Sequence, residues 1–194
     1  RGHHADIGGI TPGSMPPNSK LVEEEGVLID NFLLLEEGRL REAEIIALLS
    51  SGPYPARNVA QNMADLPDMV AANEMGVQEL RRMVQHFGLE VVHAYMRHVQ
   101  DNAEEAVRRV IDVLIDGSFS YEMDNGGMIR VRIAIDRAAR RAMLDFTGTS
   151  AQLPDNFNAP SAVCMAAVLY VFRTLVDDDI PLNAGCLKPL EVII

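Results

Sequence analysis

Residues 125–136 read NGGMIRVRIAID, and this stretch decides the fold class. Isoleucine and valine alternate with arginine over residues 129–135, which is the two-residue period of a strand with one buried face. The Asn125-Gly126 pair directly before it is typical of a hairpin turn, so we expect this strand to pair with residues 119–121. The alternation resumes over residues 142–146 after a polar turn. The sequence therefore predicts a half-exposed antiparallel β-meander.

Helical patterns surround this meander. Apolar residues recur at helical spacing in three earlier segments, residues 39–49, 80–87 and 92–114. Asp65 is the predicted cap of the second helix, with Pro67 in its first turn. A last helix is predicted from an Asn158 cap to about Leu175. The order of elements favours an α+β fold in which long antiparallel helices pack with the antiparallel β-meander.

The chain divides into three predicted segments. Residues 1–36 form a loop rich in His, Asp and Gly followed by a buried strand over residues 25–35, residues 37–117 are helical, and residues 118–194 hold the meander and the last helix. The length of 194 residues favours one domain. Since the sequence lacks an initiator Met and ends on an apolar, strand-like run, we expect an internal fragment and thus a partial domain.

Composition excludes several classes of function. A formal charge of −11 argues against nucleic-acid binding, which needs clustered Lys and Arg. Apolar runs are too short to predict a membrane span. Two cysteines, Cys164 and Cys186, lack a CxxC spacing, which favours a reducing compartment and a cytoplasmic location. A disulfide between them is possible, although two inert buried thiols are the commoner arrangement.

The first candidate site is the N-terminal group His3, His4, Asp6, Gly8 and Gly9. Imidazole and carboxylate groups at steps of two or three residues converge on a strand face or in a turn, so they can share a cation. Such nitrogen and oxygen ligands suit Mn, Zn, Fe or Co. The alternative is the remnant of a purification tag, which does not explain the Ala-Asp-Ile-Gly-Gly that follows.

Two loops are candidate binding segments. Residues 145–150 read DFTGTS and follow a strand, and their hydroxyl and amide donors could hold a carboxylate or phosphate. The loop lacks the Lys and the spacing of a P-loop, and a turn closed by Ser and Thr side chains is an equally good interpretation. In the next polar loop, Asn156 is freer to bind a ligand than Asn158.

A polar cluster lies between these segments, made up of Arg57, Asn58, Asn62, Asp65 and Asn73. Amide side chains are costly to bury without partners. The cluster therefore predicts either a polar site or a seam between subunits.

Residues 1–17, RGHHADIGGITPGSMPP, resemble the signature of the hydantoinase B/5-oxoprolinase family, and the 5-oxoprolinase branch looks closest. Further matches occur in the same order at Arg57-Asn58, at residues 145–149, at residues 156–160 and at residues 180–183. The resemblance covers essentially the whole chain.

The resemblance implies one part of an ATP-dependent enzyme that opens a small cyclic amide, 5-oxoproline or a hydantoin. An A-type half would bind ATP and phosphorylate the amide oxygen, and the B-type half would handle the activated intermediate. Carboxylases of this family hold manganese between a His-x-x-Asp pair and a later histidine, which corresponds to His3. We therefore expect a divalent metal (Mn, Zn or Mg) at His3 in the intact enzyme, with the earlier pair upstream of Arg1.

The same resemblance suggests roles for the candidate residues. His3 would place and polarise the attacking water through the metal, and Asp6 would orient His3 or that water. The substrate-binding candidates are Thr147, Gly148, Thr149 and Asn156. We expect an oligomer containing the A-type half, and a fragment inactive alone. Two alternatives remain: an acetone or acetophenone carboxylase subunit, or a non-catalytic scaffold that docks the A-type half.

Overall fold

The computed structural model describes residues 6–13 and 16–194. Helices and strands occur largely in separate runs along the chain, the order of an α+β fold, which confirms the predicted class. The helices are α1 (Val22–Glu25), α2 (Glu42–Leu49), α3 (Val59–Phe87), α4 (Leu89–Ile111), α5 (Ser161–Leu175) and a 3-10 helix (Ala184–Leu187). The strands are β1 (Leu35–Glu36), β2 (Arg39–Leu40), β3 (Gly117–Glu122), β4 (Met128–Asp136), β5 (Arg141–Asp145) and β6 (Leu190–Ile193).

The chain forms two compact units. The first contains the described residues up to Met83 together with Pro154–Phe157, and the second contains Val84–Leu153 with Asn158–Ile194. In the first unit α2 supplies the core, since Ile45 and Leu49 are buried. Half-buried apolar side chains from the N-terminal loop and from α3 pack against them, among them Ile7, Phe32, Leu34, Met63 and Leu66.

The second unit is built on a four-stranded sheet in the order β3-β4-β5-β6. The predicted meander is confirmed, because β3, β4 and β5 pair antiparallel. Its hairpin closes where the amide of Met123 donates to the carbonyl of Gly127 at 2.7 Å. The sheet also gains β6, which pairs parallel to β5 and makes the sheet mixed. A parallel neighbour needs a long crossover, and α5 and the 3-10 helix lie within that connection.

The core of the second unit lies along the C-terminal half of α4. Ala103, Ala106, Val107 and Ile111 are buried at helical spacing. They belong to one apolar cluster with side chains of β5, α5 and the 3-10 helix, including Leu144, Val168, Phe172 and Cys186. Tyr95, Met96 and Val99 continue the same stripe but are exposed. The core cluster therefore covers the apolar side of the helix from Ala103 onward.

The predicted start of α3 at Asp65 is wrong. The helix begins at Val59, and the side chain of Asn58 accepts from the amide of Gln61 at 3.1 Å, as a cap does. Asp65 lies inside the helix and accepts from the side chain of Gln61 at 2.7 Å. Pro67 is also interior, where it removes one helical hydrogen bond without ending the helix.

The predicted cap of α5 is also wrong. The side chain of Asn158 accepts from the amide of Leu153 and donates to its carbonyl, both at 2.8 Å. These bonds close the preceding loop, so the side chain does not serve the helix. Pro160 instead precedes the first helical residue, Ser161, with an extended backbone.

The predicted buried strand over residues 25–35 is wrong. Only Val27 is buried there, while Leu28 and Leu33 are 62% and 54% exposed. Asn31 has a positive φ of 46°, which interrupts an extended chain. Strand structure is confined to β1 at the end of the segment, where it pairs with β2. The helix predicted from residue 39 therefore begins only at Glu42.

Two further predictions concern the sulfur atoms and membranes. Cys164 and Cys186 are free thiols, and burial raises the pKa of the Cys164 thiol. In the part of the chain that the structure describes, none of the helices is long and apolar enough to span a membrane.

Candidate active-site loop

The predicted N-terminal site is described only from Asp6 onward. His3 and His4 lie outside the described residues, so the predicted catalytic and metal-binding role of His3 stays a prediction. Over residues 6–13 and 16–194, His, Cys, Asp and Glu side chains form no group of three or more that could hold a metal ion.

The carboxylate of Asp6 is surrounded by hydrogen-bond donors of the first unit. It accepts from the amide of Gly8 at 3.0 Å, from the amide of Gly13 at 3.1 Å and from Nη1 of Arg57 at 3.0 and 3.2 Å. The amides of Gly13 and Gly8, followed by Arg57, lower the pKa of this carboxyl, although burial acts in the opposite direction. Asp6 is therefore an anion at neutral pH.

Arg57 and Asn62 hold the backbone of the same loop. The guanidinium of Arg57 donates to the carbonyl of Gly8 at 3.1 Å and to the carbonyl of Gly9. Asn62 is 5% exposed, and its side-chain amide donates to the carbonyl of Asp6 at 3.0 Å. Arg57 directly precedes the cap of α3 and Asn62 lies in its first turns, so a long helix supports the loop.

The two central glycines of the loop satisfy a conformational and a steric requirement. Gly8 and Gly9 have φ values of 106° and 92°, which side chains rarely adopt. A Cβ on Gly8 would overlap the carbonyl oxygen of Tyr54, and one on Gly9 would lie 2.8 Å from the carbonyl oxygen of Glu25. Only glycine fits this close approach of three backbone segments.

Backbone pairing completes the loop. The amide of Gly9 donates to Tyr54 at 3.1 Å, the amide of Ile10 donates to Glu24 at 2.8 Å, and the amide of Val27 donates to Ile7 at 2.9 Å. The predicted site residue Asn156 belongs to the same unit. Its side chain donates to the carbonyl of Pro16 at 2.8 Å and thus contacts the chain that follows the loop.

The other predicted binding loop, residues 145–150, lies in the second unit. The hydroxyl of Thr149 bonds both the amide and the carbonyl of Arg130 at 3.1 Å. The amide and hydroxyl of Thr147 bond Asp145 and lower the pKa of its carboxyl. The turn is therefore closed by the side chain of Asp145, an Asx turn, and the side chain of Thr149 ties the loop to β4. Substrate binding by Thr147, Gly148 and Thr149 stays a prediction.

An open groove of about 1000 Å³ also lies in the second unit, beside β4 and β5. Its lining includes Asp116, Asp136, Arg141 and Glu191. It contains none of the residues predicted for catalysis or binding.

Sequence reasoning identified the polar cluster around Arg57 without finding what Arg57 binds. Arg57 and Asn62 belong to the loop site, Asn58 caps α3, and Asn73 donates back to Met69 within the helix at 2.8 Å. The partners Gly8 and Gly9 lie 49 and 48 residues away along the chain. The available signal was an arginine directly before a helix cap in a chain that also contains an Asp-x-Gly-Gly loop.

Comparison with known proteins places these features in a family. A family model described as hydantoinase B/oxoprolinase matches residues 1–194. The chain is 41% identical over 206 residues to a 5-oxoprolinase of Dictyostelium discoideum, and 42% identical over 216 residues to 5-oxoprolinase 1 of Arabidopsis thaliana. These alignments cover 100% and 99% of this chain but 16% and 17% of the relatives.

A solved structure has the same fold. The crystal structure of the ATP-dependent caprolactamase from Pseudomonas jessenii superposes with a TM-score of 0.78 at 22% sequence identity. The match covers 100% of this chain and 34% of that one. With a family match along its full length, the chain belongs to the hydantoinase B/oxoprolinase family.

Proposed function

We propose that this chain is part of the B-type half of an ATP-dependent cyclic amide hydrolase that opens 5-oxoproline or a hydantoin. The observation that carries the proposal is the loop at Asp6–Gly9, whose glycines and carboxylate are fixed by bonds from distant residues. A loop fixed by this many bonds from other parts of the chain has a set geometry, which is what a catalytic site requires. Two relatives named as 5-oxoprolinases support the choice of reaction.

The proposed chemistry follows from the stability of a five-membered lactam. Transfer of a phosphoryl group from ATP to the amide oxygen, on the A-type half, makes the ring carbon electrophilic. Water adds to that carbon and gives up a proton to solvent, and the ring C–N bond breaks as the nitrogen is protonated, which leaves an acyl phosphate. A second water then releases phosphate and leaves the open-chain amino acid.

A divalent ion at His3 remains part of the proposal, since a bound ion lowers the pKa of its water. Asp6 does not fit as a further ligand, because its carboxylate already accepts from two amides and Arg57.

The carboxylate of 5-oxoproline is the proposed ligand of Thr147, Gly148 and Thr149. Arg130 adds a positive charge to this loop, because its side chain lies over Gly148: an added Cβ there would be 3.6 Å from Nη1. Arg130→Met in the complete enzyme should raise KM for 5-oxoproline by about 10-fold, since a hydrogen bond to a charged group contributes ~1.5–3 kcal/mol. KM for 2-pyrrolidinone, which lacks the carboxylate, should stay unchanged; an equal rise for both lactams would contradict this role.

The reaction itself is tested with the complete protein and its A-type half. Ring opening and phosphate release are measured with ATP and, in turn, 5-oxoproline, hydantoin or acetone with bicarbonate. We expect turnover of a cyclic amide; consumption of acetone instead would make the protein a carboxylase. Turnover unaffected by changes in the Asp6 loop would favour the scaffold alternative. We place the enzyme in the cytoplasm as an oligomer with its A-type half, and the two free thiols fit that compartment.

A further inference from the structure

We infer that Arg57 and Asn62 are positioning residues of the catalytic loop, and that Asp6 is the structural anion they hold rather than an acid, base or metal ligand. This inference rests on the proposed function for the role of the loop. It changes the role expected of Asp6. It also assigns a role to Arg57, just before α3, and to Asn62 within that helix.

Both carboxylate oxygens of Asp6 accept hydrogen bonds from neighbouring donors. A carboxylate offers about four lone-pair positions. Oδ1 accepts from the amide of Gly8 and from Arg57, and Oδ2 accepts from the amide of Gly13 and from Arg57. Both oxygens are thus engaged by groups of the loop and its support. The side chain is one-third exposed, but a proton or a metal ion would have to compete with these donors for the carboxylate oxygens.

The guanidinium of Arg57 binds three groups of the loop. The same group contacts the carboxylate of Asp6 and the carbonyls of Gly8 and Gly9. A guanidinium has five donors in a planar fork, whereas the ammonium of lysine is a single centre on a flexible stem. Arg57 can therefore fix three consecutive points of the loop at once, and lysine cannot reproduce that arrangement.

The start of α3 supports the guanidinium of Arg57. Arg57 stands directly before Asn58, the cap of the 29-residue helix α3, and Asn62 lies in the first turns of that helix. The backbone of Asp6 is bound by Asn62, and its side chain is bound by Arg57. The loop is thus anchored at both its main chain and its side chain to one rigid element.

The bonds from Arg57 and Asn62 to Asp6, called the anchor below, bear on the reach of His3. Three residues of chain span at most about 10 Å, so the position of Asp6 limits where the imidazole of His3 can reach. Loss of the anchor would leave His3 chemically intact but misplaced. A displacement of about 1 Å can lower a rate by about 100-fold.

The experiment uses the complete enzyme with Asp6→Asn, Arg57→Met and Arg57→Lys. We expect each change to lower kcat for lactam opening, by about 100-fold for Arg57→Met, with KM for ATP unchanged. Amide hydrogen exchange over Gly8–Gly13 should accelerate in all three variants, least in Arg57→Lys. The double variant Asp6→Asn with Arg57→Met should have a kcat no lower than that of the slower single variant, because the two substitutions remove the same contact between Asp6 and Arg57.

Arg82→Met is the matched control, since Arg82 is an exposed arginine of α3 paired with Glu79. It should change neither kcat nor loop exchange. Loss of activity in Asp6→Asn with unchanged exchange would make Asp6 a chemical participant and overturn the inference, as would unchanged exchange in Arg57→Met. If Arg57→Met does not fold, Arg57→Lys gives the same decision. Full activity of His3→Ala would refute the proposed function while the exchange data still test the anchor.

Discussion

Gly9 and Gly13 have nearly equal backbone torsions but different surroundings. Their φ values are 92° and 91°. A Cβ on Gly9 would lie 2.8 Å from the backbone of Glu25, whereas a Cβ on Gly13 would meet none of the described residues within 4 Å. An alanine at either position would therefore have an unfavourable positive φ. Only an alanine at residue 9 would also overlap neighbouring backbone.

This pair gives the first prediction at the residue scale. Gly9→Ala in the complete enzyme should lower the rate of lactam opening by at least about 10-fold more than Gly13→Ala, because only Gly9→Ala must displace neighbouring backbone. The measurement is kcat with saturating lactam and ATP, with thermal unfolding as a check on folding. Equal losses would mean that torsion alone, and not the close approach, constrains the loop.

Sequence reasoning at the residue scale worked where the signal was local. The hairpin turn at Asn125-Gly126 follows from two adjacent residues, and the structure confirms it. The partner of Arg57 could not be found in the same way, because Gly8 and Gly9 approach it only through the tertiary fold. The assignments of Asn158 and Asp65 as caps failed for a related reason, since each side chain has a better partner nearby.

At the element scale, three arginines join the β4–β5 turn to the end of α4. Arg140 binds the carboxylates of Asp112 and Glu105, at 2.7 and 3.0 Å from Nη2. Arg108 donates to the carbonyls of residues 139 and 140, and Arg137 donates to the carbonyls of residues 112 and 114. The hydrogen bond from Arg140, and to a smaller extent its charge, lowers the pKa of Asp112.

The sign of this pKa change predicts a pH dependence. A carboxyl whose pKa is lowered by folding stabilises the native state above its ordinary value of 3.8, and this contribution is lost as the pH falls through the lowered native value. Arg140→Gln should therefore lower Tm most at neutral pH, and the difference from wild type should narrow below pH 3.8. Arg97→Gln, on the exposed face of α4, is the control. A Tm difference that is independent of pH would contradict the assignment.

A second element-scale prediction concerns the 3-10 helix. A Cβ on Gly185 would overlap the carbonyl of Gln100 in α4, so Gly185→Ala should lower the free energy of unfolding by ~1–3 kcal/mol. Gly76 lies in the exposed part of α3 with open space around its Cα, and Gly76→Ala should raise helix stability by about 1 kcal/mol. Denaturant unfolding of both variants checks the opposite signs. Destabilisation by both would rule out the steric explanation.

At the scale of the whole molecule, the periodicity of the sequence predicted the fold class, and the N-terminal signature predicted the family. The parallel addition of β6 could not be read from its four residues, because strand direction depends on the path of α5 and the 3-10 helix before it. Burial was overestimated at Leu28 and Leu33, since an apolar pattern does not say whether a neighbouring element covers those side chains.

The most direct test of the account is His3→Ala in the complete enzyme. The measurements are the amount of lactam opened per ATP hydrolysed and, separately, the binding of ATP. His93→Ala is the matched control, because His93 is an exposed histidine of α4. The account predicts a loss of ring opening of at least about 100-fold for His3→Ala, because His3 would hold the ion that activates the attacking water. ATP binding should be unchanged, and His93→Ala should behave as wild type. Undiminished ring opening by His3→Ala would contradict the central claim that this loop carries the catalytic histidine.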